Sequence, residues 1–165
     1  MNNPLKYLGY AVVFREVPNE VSLTFSISGC RRHCEGCHSP YLWEDKGAPL
    51  LPDLENVIGL YGGLITCVCF MGGDQNAQEL NAAIEIAKHH HLKTCLYTGL
   101  DSIHDLLSAG VSLENLDYVK VGHYDQNLGG LDSPDTNQRF YLLQNKTPVD
   151  ITWMFWKTNQ ERSRT

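Results

Sequence analysis

Hydrophobic and polar positions along the chain fall into short runs whose period changes from two to about 3.6 and back. Residues 21–28, VSLTFSIS, alternate apolar with polar side chains and are rich in β-formers, which predicts a strand that delivers the chain to Gly29-Cys30. After a Pro- and Gly-bearing stretch at 47–52, the segment DLENVIGLY places Leu54, Val57, Ile58 and Tyr61 on one helical face, with Asp53 as the expected N-cap. Gly62-Gly63 ends that helix. Residues 64–71, LITCVCFM, are a continuous apolar run of strand length backed by Gly72-Gly73-Asp74, the pattern of a buried parallel strand. From Asn76 to about His90, Leu80, Ala83, Ile84 and Ala87 recur at helical spacing, with Asp74 or Asn76 available as cap. A strand at 93–97, a short helix at 103–108 closed by Gly110, a strand at 118–121 and a loop holding Gly129-Gly130 and Pro134 follow. Residues 149–156 predict a last strand, and 157–165 form a polar tail expected to fray.

Strands alternating with helices at this spacing imply right-handed βαβ crossovers and a mostly parallel sheet, an α/β fold with functional loops at the carboxyl ends of its strands. A chain of 165 residues suits one buried core, read as a single domain over 1–156 followed by the tail. With 42% hydrophobic and 19% charged residues, and no block of like charge, the composition is that of a soluble globular protein. Thirteen basic and 19 acidic residues give a net charge of −6 spread along the chain, so no nucleic-acid partner is expected. No stretch has the length and apolarity to span a bilayer, and the first ten residues lack a secretory leader's pattern, so no membrane association and a cytoplasmic location are expected. Thiols stay reduced there, which makes clustered cysteines metal ligands or redox groups rather than staples.

Three of the six cysteines fall within eight residues, Cys30-Arg31-Arg32-His33-Cys34-Glu35-Gly36-Cys37, on the loop after the first predicted strand. Such a loop can wrap an iron–sulfur cubane with its sulfurs pointing inward, and Gly36 frees the backbone for the tight turn this needs. Electron-transfer clusters usually have four cysteine ligands; three leave one iron open to bind something else. Two plainer readings stand beside this: a zinc site completed by His33, His38 or the Cys67/Cys69 pair, and reduced thiols on a loop. Gly72-Gly73-Asp74 likewise reads as a turn with a helix cap. Cys67, Cys69 and Cys95 lie in apolar runs, where free cysteine behaves as a small buried hydrophobe. His89-His90-His91 are expected to meet the terminal carbonyls of their helix. Trp153, Phe155 and Trp156 are expected to pack on an edge strand, or to form an aromatic patch that docks a partner.

The segment CRRHCEGCHSPYLW resembles the cluster loop of radical S-adenosylmethionine (SAM) enzymes. More narrowly, it resembles the activating proteins of anaerobic (class III) ribonucleotide reductases, which carry a glycine before the third cysteine and a short polar sequence after it; Gly36, His38 and Ser39 match. Met71-Gly72-Gly73-Asp74 resembles the glycine-rich motif that holds the methionyl amino group, and Tyr97-Thr98-Gly99 and Thr136-Asn137-Gln138-Arg139 match further segments. The resemblance covers residues 21–140. Pro18-Asn19-Glu20 stands where relatives often have Asn-Gly-x-Gly, and Val121-Gly122, flanked by Lys120 and His123, where Asp-Gly is common.

The resemblance implies a partial radical-SAM barrel. It implies Cys30, Cys34 and Cys37 as the catalytic ligands of one [4Fe–4S] cluster, with Gly36, Cys37, His38, Gly72, Gly73 and Asp74 as contacts to SAM. The activity it implies is that of a radical-SAM oxidoreductase that cleaves SAM reductively and places a glycyl radical on the large subunit of anaerobic ribonucleoside-triphosphate reductase, with flavodoxin or ferredoxin as electron donor. So short a chain is expected to leave its radical site incompletely covered until a macromolecular substrate closes it. Two alternatives are an activase of another glycyl-radical enzyme, of formate-lyase type, and a non-enzymatic zinc-binding module.

Overall fold

A computed structural model describes residues 3–156. The alternating run before the cysteines forms β2 (Ser22–Ile27), preceded by β1 (Lys6–Val13). A two-residue β3 (Ala48–Pro49) leads into α1 (Leu50–Tyr61), followed by β4 (Cys67–Met71), α2 (Ala77–His89), β5 (Lys93–Tyr97), α3 (Ile103–Ser108) and β6 (Tyr118–Val121). β7 (Arg139–Gln144) and β8 (Thr147–Asp150) complete one sheet of order β3-β1-β2-β4-β5-β6-β7-β8.

The expected α/β class holds, with a correction to the sheet. The contiguous strands β2, β4, β5 and β6 are parallel, whereas β3, β1, β7 and β8 pair antiparallel at the two edges. Helical crossovers make the parallel centre, and short connections make the antiparallel edges. At one edge Asn145 and Lys146, with φ of 49° and 66°, form a two-residue turn between β7 and β8 with left-handed backbone at both positions.

Strand alternation divides the core. Leu23, Phe25, Ile27, Val68, Phe70, Leu96 and Val119 point to the face covered by the helices, where Leu54, Ile58, Leu80, Ile84 and Leu106 meet them. The opposite face carries Cys67, Cys69, Cys95, Tyr118 and Phe140, covered by Val17, Leu131, Ile151 and Phe155 instead of by helices. All three helices therefore bury their apolar residues on one side of the sheet.

Three element boundaries differ from the sequence expectation. Helix α1 begins at Leu50, so Asp53 is not its N-cap but lies in the first turn, where it accepts a hydrogen bond from Tyr7 Oη at 2.9 Å. Pro52 is tolerated because first-turn amides have no helical acceptor. A 3-10 turn at Gly62–Leu64 delays β4 to Cys67. The last strand ends at Asp150, whose carboxylate accepts from Thr152 N (2.9 Å) and Oγ1 (2.6 Å); this Asx turn starts the 3-10 turn Thr152–Phe155. Asn76 does cap α2, accepting from Glu79 N at 3.3 Å. The expected frayed tail lies outside the described residues.

One carboxylate ties together the amino ends of the four parallel strands. Buried Glu20, just before β2, accepts from Thr66 Oγ1 (2.6 Å) before β4, Lys93 Nζ (2.6 Å) at the start of β5 and Tyr118 Oη (2.9 Å) at the start of β6. The carboxyl ends of the same strands are left to open into a cleft. Among the described residues no helix is long and apolar enough to cross a membrane.

Candidate functional site

The cysteine loop leaves the sheet at the carboxyl end of β2 through Gly29, whose φ of +82° favours glycine. Cys30 N–H donates to Leu42 O (3.0 Å) and Cys37 N–H to Cys34 O (3.1 Å), folding the loop against the 3-10 turn Pro40–Leu42. Ser39 N–H donates to Cys37 Sγ at 3.3 Å. His33 holds a left-handed φ of 47° and stacks on Trp43 with ring centroids 4.6 Å apart and planes 19° from parallel. A Cβ on Gly36 would come within 2.6 Å of Gln126 Oε1, so this glycine allows the 123–127 loop to lie against the cysteine loop.

Burial separates the six thiols into two sets. Cys30, Cys34 and Cys37 are free and partly exposed, whereas Cys67, Cys69 and Cys95 are wholly buried, as expected. Burial, reinforced by the neighbouring Cys69, pushes the Cys67 and Cys95 thiols well above the ordinary range, which keeps them protonated and poor as ligands.

A cleft of about 530 Å³ opens at the carboxyl ends of the parallel strands, where α/β sheets bind ligands. Cys30, Cys37 and Trp43 line it from the cysteine loop, Met71, Gly72 and Asp74 from the end of β4, Tyr97 to Leu100 from the end of β5, and Lys120 from β6. Lys120 is buried, donating to Gly122 O (2.6 Å) and Thr98 O (3.3 Å). Among the described residues it has no ion-pair partner within 4 Å, and burial lowers its pKa to about 8 against the opposing pull of Cys34, Asp101 and Cys30. Arg31 and Arg32 also border the cleft, which therefore suits an anionic group.

The structure brings Cys30, Cys37, Gly72 and Asp74 to this cleft and places the other expected residues around it. Cys34 opens on an adjacent cavity of about 330 Å³ shared with Arg32, Glu35 and residues 123–127. His38 lies against Tyr124, ring centroids 4.9 Å apart and Nε2 3.4 Å from the hydroxyl. Gly73, with φ +109°, is buried, and a Cβ there would press on Leu80, Ile27 and Leu5, so its bareness serves packing beneath the cleft. The histidines ending α2 do not use side chains to cap it: His89 and His90 face Glu85 and Glu55 at 4.0 and 3.9 Å. Trp153 and Trp156 are exposed beyond the last strand, while Phe155 packs on Phe140 at 4.9 Å.

Three features went unread in the sequence: the buried position of Lys120, the Asp101–His123 pair and the stacked Trp43. A lysine inside the otherwise apolar run YVKV was the available signal for the first. Asp101 accepts from His123 Nδ1 (2.6 Å) and N–H (3.2 Å), joining the loops after β5 and β6; His123 holds its carboxyl below the ordinary range, outweighing desolvation. Nothing local in the sequence announces that pairing.

The donor set fits an iron–sulfur cubane. Three partly exposed thiols lie on one folded loop, and the buried indole N–H of Trp43, which lines the cleft with Cys30 and Cys37, has no acceptor among the described residues. Among the described residues no three His, Cys, Asp or Glu side chains meet closely enough to hold a single metal ion.

Residues 20–140 match the family of 4Fe-4S single cluster domains. The chain belongs to that family. No curated protein and no solved structure matches it. The matched span of this 4Fe-4S domain runs from the Glu20 clasp to Phe140 in β7 and includes every residue lining the cleft. An iron–sulfur cofactor is therefore the one the domain carries, and burial leaves Cys30, Cys34 and Cys37 as its best candidate ligands.

Proposed function

We propose that this 4Fe-4S domain is a radical-SAM activase, with Cys30, Cys34 and Cys37 holding the cluster and the adjoining cleft holding SAM. The observation that carries the reading is the meeting, at one end of a parallel sheet, of a three-cysteine loop, a Gly-Gly-Asp turn and a buried lysine around a cleft of about 530 Å³. That volume lies within the range of small-molecule sites.

A reduced cluster held by Cys30, Cys34 and Cys37 would supply the electron for reductive cleavage of SAM bound beside it. The chain's own residues bind and orient. Ligation by Cys30, Cys34 and Cys37 alone would leave an open position for the methionyl group. Gly72, whose φ of +100° turns the backbone at the end of β4, and Asp74 lie where they can take the amino group. Lys120, pinned by two carbonyls, offers its ammonium to the carboxylate. Among the described residues Asp74 is the one carboxylate lining the cleft.

The proposed partners are the large subunit of anaerobic ribonucleoside-triphosphate reductase and a flavodoxin or ferredoxin that delivers the electron. Mixing the reconstituted protein anaerobically with that subunit, SAM and reductant should produce a glycyl-radical EPR doublet on the reductase. A doublet only on a formate-lyase-type enzyme would reassign the partner; none on either, with SAM intact, would overturn the reading.

A further inference from the structure

Trp43 is held against the cysteine loop from three sides. The carbonyl of its neighbour Leu42 accepts from Cys30 N–H at 3.0 Å, the His33 ring stacks on the indole at 4.6 Å, and Trp43 shares the cleft wall with Cys30 and Cys37. Its backbone N–H is used, donating to Pro40 O at 3.1 Å. Its indole Nε1 is buried and has no acceptor among the described residues. Buried indole donors ordinarily find a partner, because an unpaired one loses its hydration with no return. Trp43 borders both this cleft, beside Cys30 and Cys37, and a neighbouring cavity lined by Lys6, Ser28 and Asp45; a group bound on the cysteine side would supply the acceptor. Sulfur already accepts in this segment, since Ser39 N–H donates to Cys37 Sγ at 3.3 Å.

The geometry points to the indole N–H of Trp43 donating to a sulfur of the cluster, so that Trp43 sets the cluster's reduction potential and His33 fixes the plane of the indole. This rests on the reading that Cys30, Cys34 and Cys37 hold the cluster. A donor to a cluster sulfur favours the more negative, reduced state and so raises the potential. Trp43→Phe keeps the ring and its stack but deletes the donor.

The test is a redox titration of the reconstituted full chain, followed by EPR without SAM. Trp43→Phe should retain iron and sulfide while the reduced-to-oxidised ratio at a fixed potential falls about tenfold, a shift of about 59 mV for a one-electron couple. An unchanged potential with the cluster intact would overturn the assignment. So would an unchanged potential with weakened SAM binding, since the acceptor would then be SAM. Should the Phe variant not hold its cluster, pulsed EPR decides. With indole-¹⁵N tryptophan in a Trp153→Phe, Trp156→Phe background, the reduced cluster should show a nitrogen coupling from Trp43, and its absence overturns the proposal. A protein that cleaves SAM yet shows neither effect loses only the Trp43 assignment; one that binds no cluster loses the functional reading itself.

Discussion

Replacing Glu20 by alanine should loosen the amino ends of all four parallel strands while leaving the cysteine end intact. The carboxylate accepts from Thr66, Lys93 and Tyr118, and its own side chain is 5% exposed. Removing one partner of a fully buried ion pair costs about 3–5 kcal/mol. Lys93 is 53% exposed here, so water recovers its charge and that figure is discounted. Tyr118 is buried, and its hydroxyl left without an acceptor adds about 1–3 kcal/mol. The expected loss is about 2–4 kcal/mol, read anaerobically as a drop of about 1–2 M in the urea midpoint, given slopes of roughly 1–3 kcal/mol/M for small domains. Burial opposes ionisation of Glu20, but hydrogen bonds from Lys93, Thr66 and Tyr118 outweigh it and hold the carboxyl below the usual glutamate range. The clasp's contribution is therefore complete above the unfolded glutamate value and is lost as pH falls through the lower folded value. The alanine variant should lack that share of the acid dependence. A loss below about 1 kcal/mol, or an unaltered acid dependence, would refute the reasoning.

Further substitutions separate cluster ligation from packing and cofactor binding. Serine at Cys30, Cys34 or Cys37 should lower bound iron and abolish the brown colour, whereas Cys95→Ser should keep iron but lose about 1–3 kcal/mol by burying a hydroxyl among apolar side chains, measured by denaturation. Lys120→Met should keep the cluster and weaken SAM binding about 10- to 100-fold, the equivalent of one charge-assisted hydrogen bond, read by equilibrium dialysis.

The centre of the fold was legible in the sequence because its strands are buried on both faces and its helices on one. LITCVCFM and the Leu80, Ala83, Ile84, Ala87 stripe carry that burial openly, and the strand at 93–97, the helix at 103–108 and the strand at 118–121 match the elements formed. The edges were not legible. KYLGYAVV mixes glycine with exposed apolar positions around a register shift between Tyr7 and Gly9, and the β7–β8 turn uses Asn145-Lys146 in place of a glycine-bearing pair. Aromatic residues at 149–156 suggested a longer strand, but Asp150 and Thr152 turn the chain through side-chain hydrogen bonds that apolar periodicity does not encode.

At the site, cysteine spacing was local and therefore readable, and so was the Gly-Gly-Asp turn. The division of labour around the loop was not, because it depends on which strand ends meet. Cys34 opens away from the main cleft, Gly73 serves packing, and Lys120 reaches the cleft only because β6 lies beside β5. The His33–Trp43 stack joins residues ten apart through a left-handed histidine, which no spacing rule anticipates.

The central claim is tested most directly by reconstituting the protein without oxygen and recording its absorption and EPR spectra before and after dithionite, with and without SAM, while assaying 5′-deoxyadenosine. The account predicts a brown protein whose reduced-cluster signal changes when SAM binds and which forms 5′-deoxyadenosine. A cluster indifferent to SAM, with none formed, would contradict it.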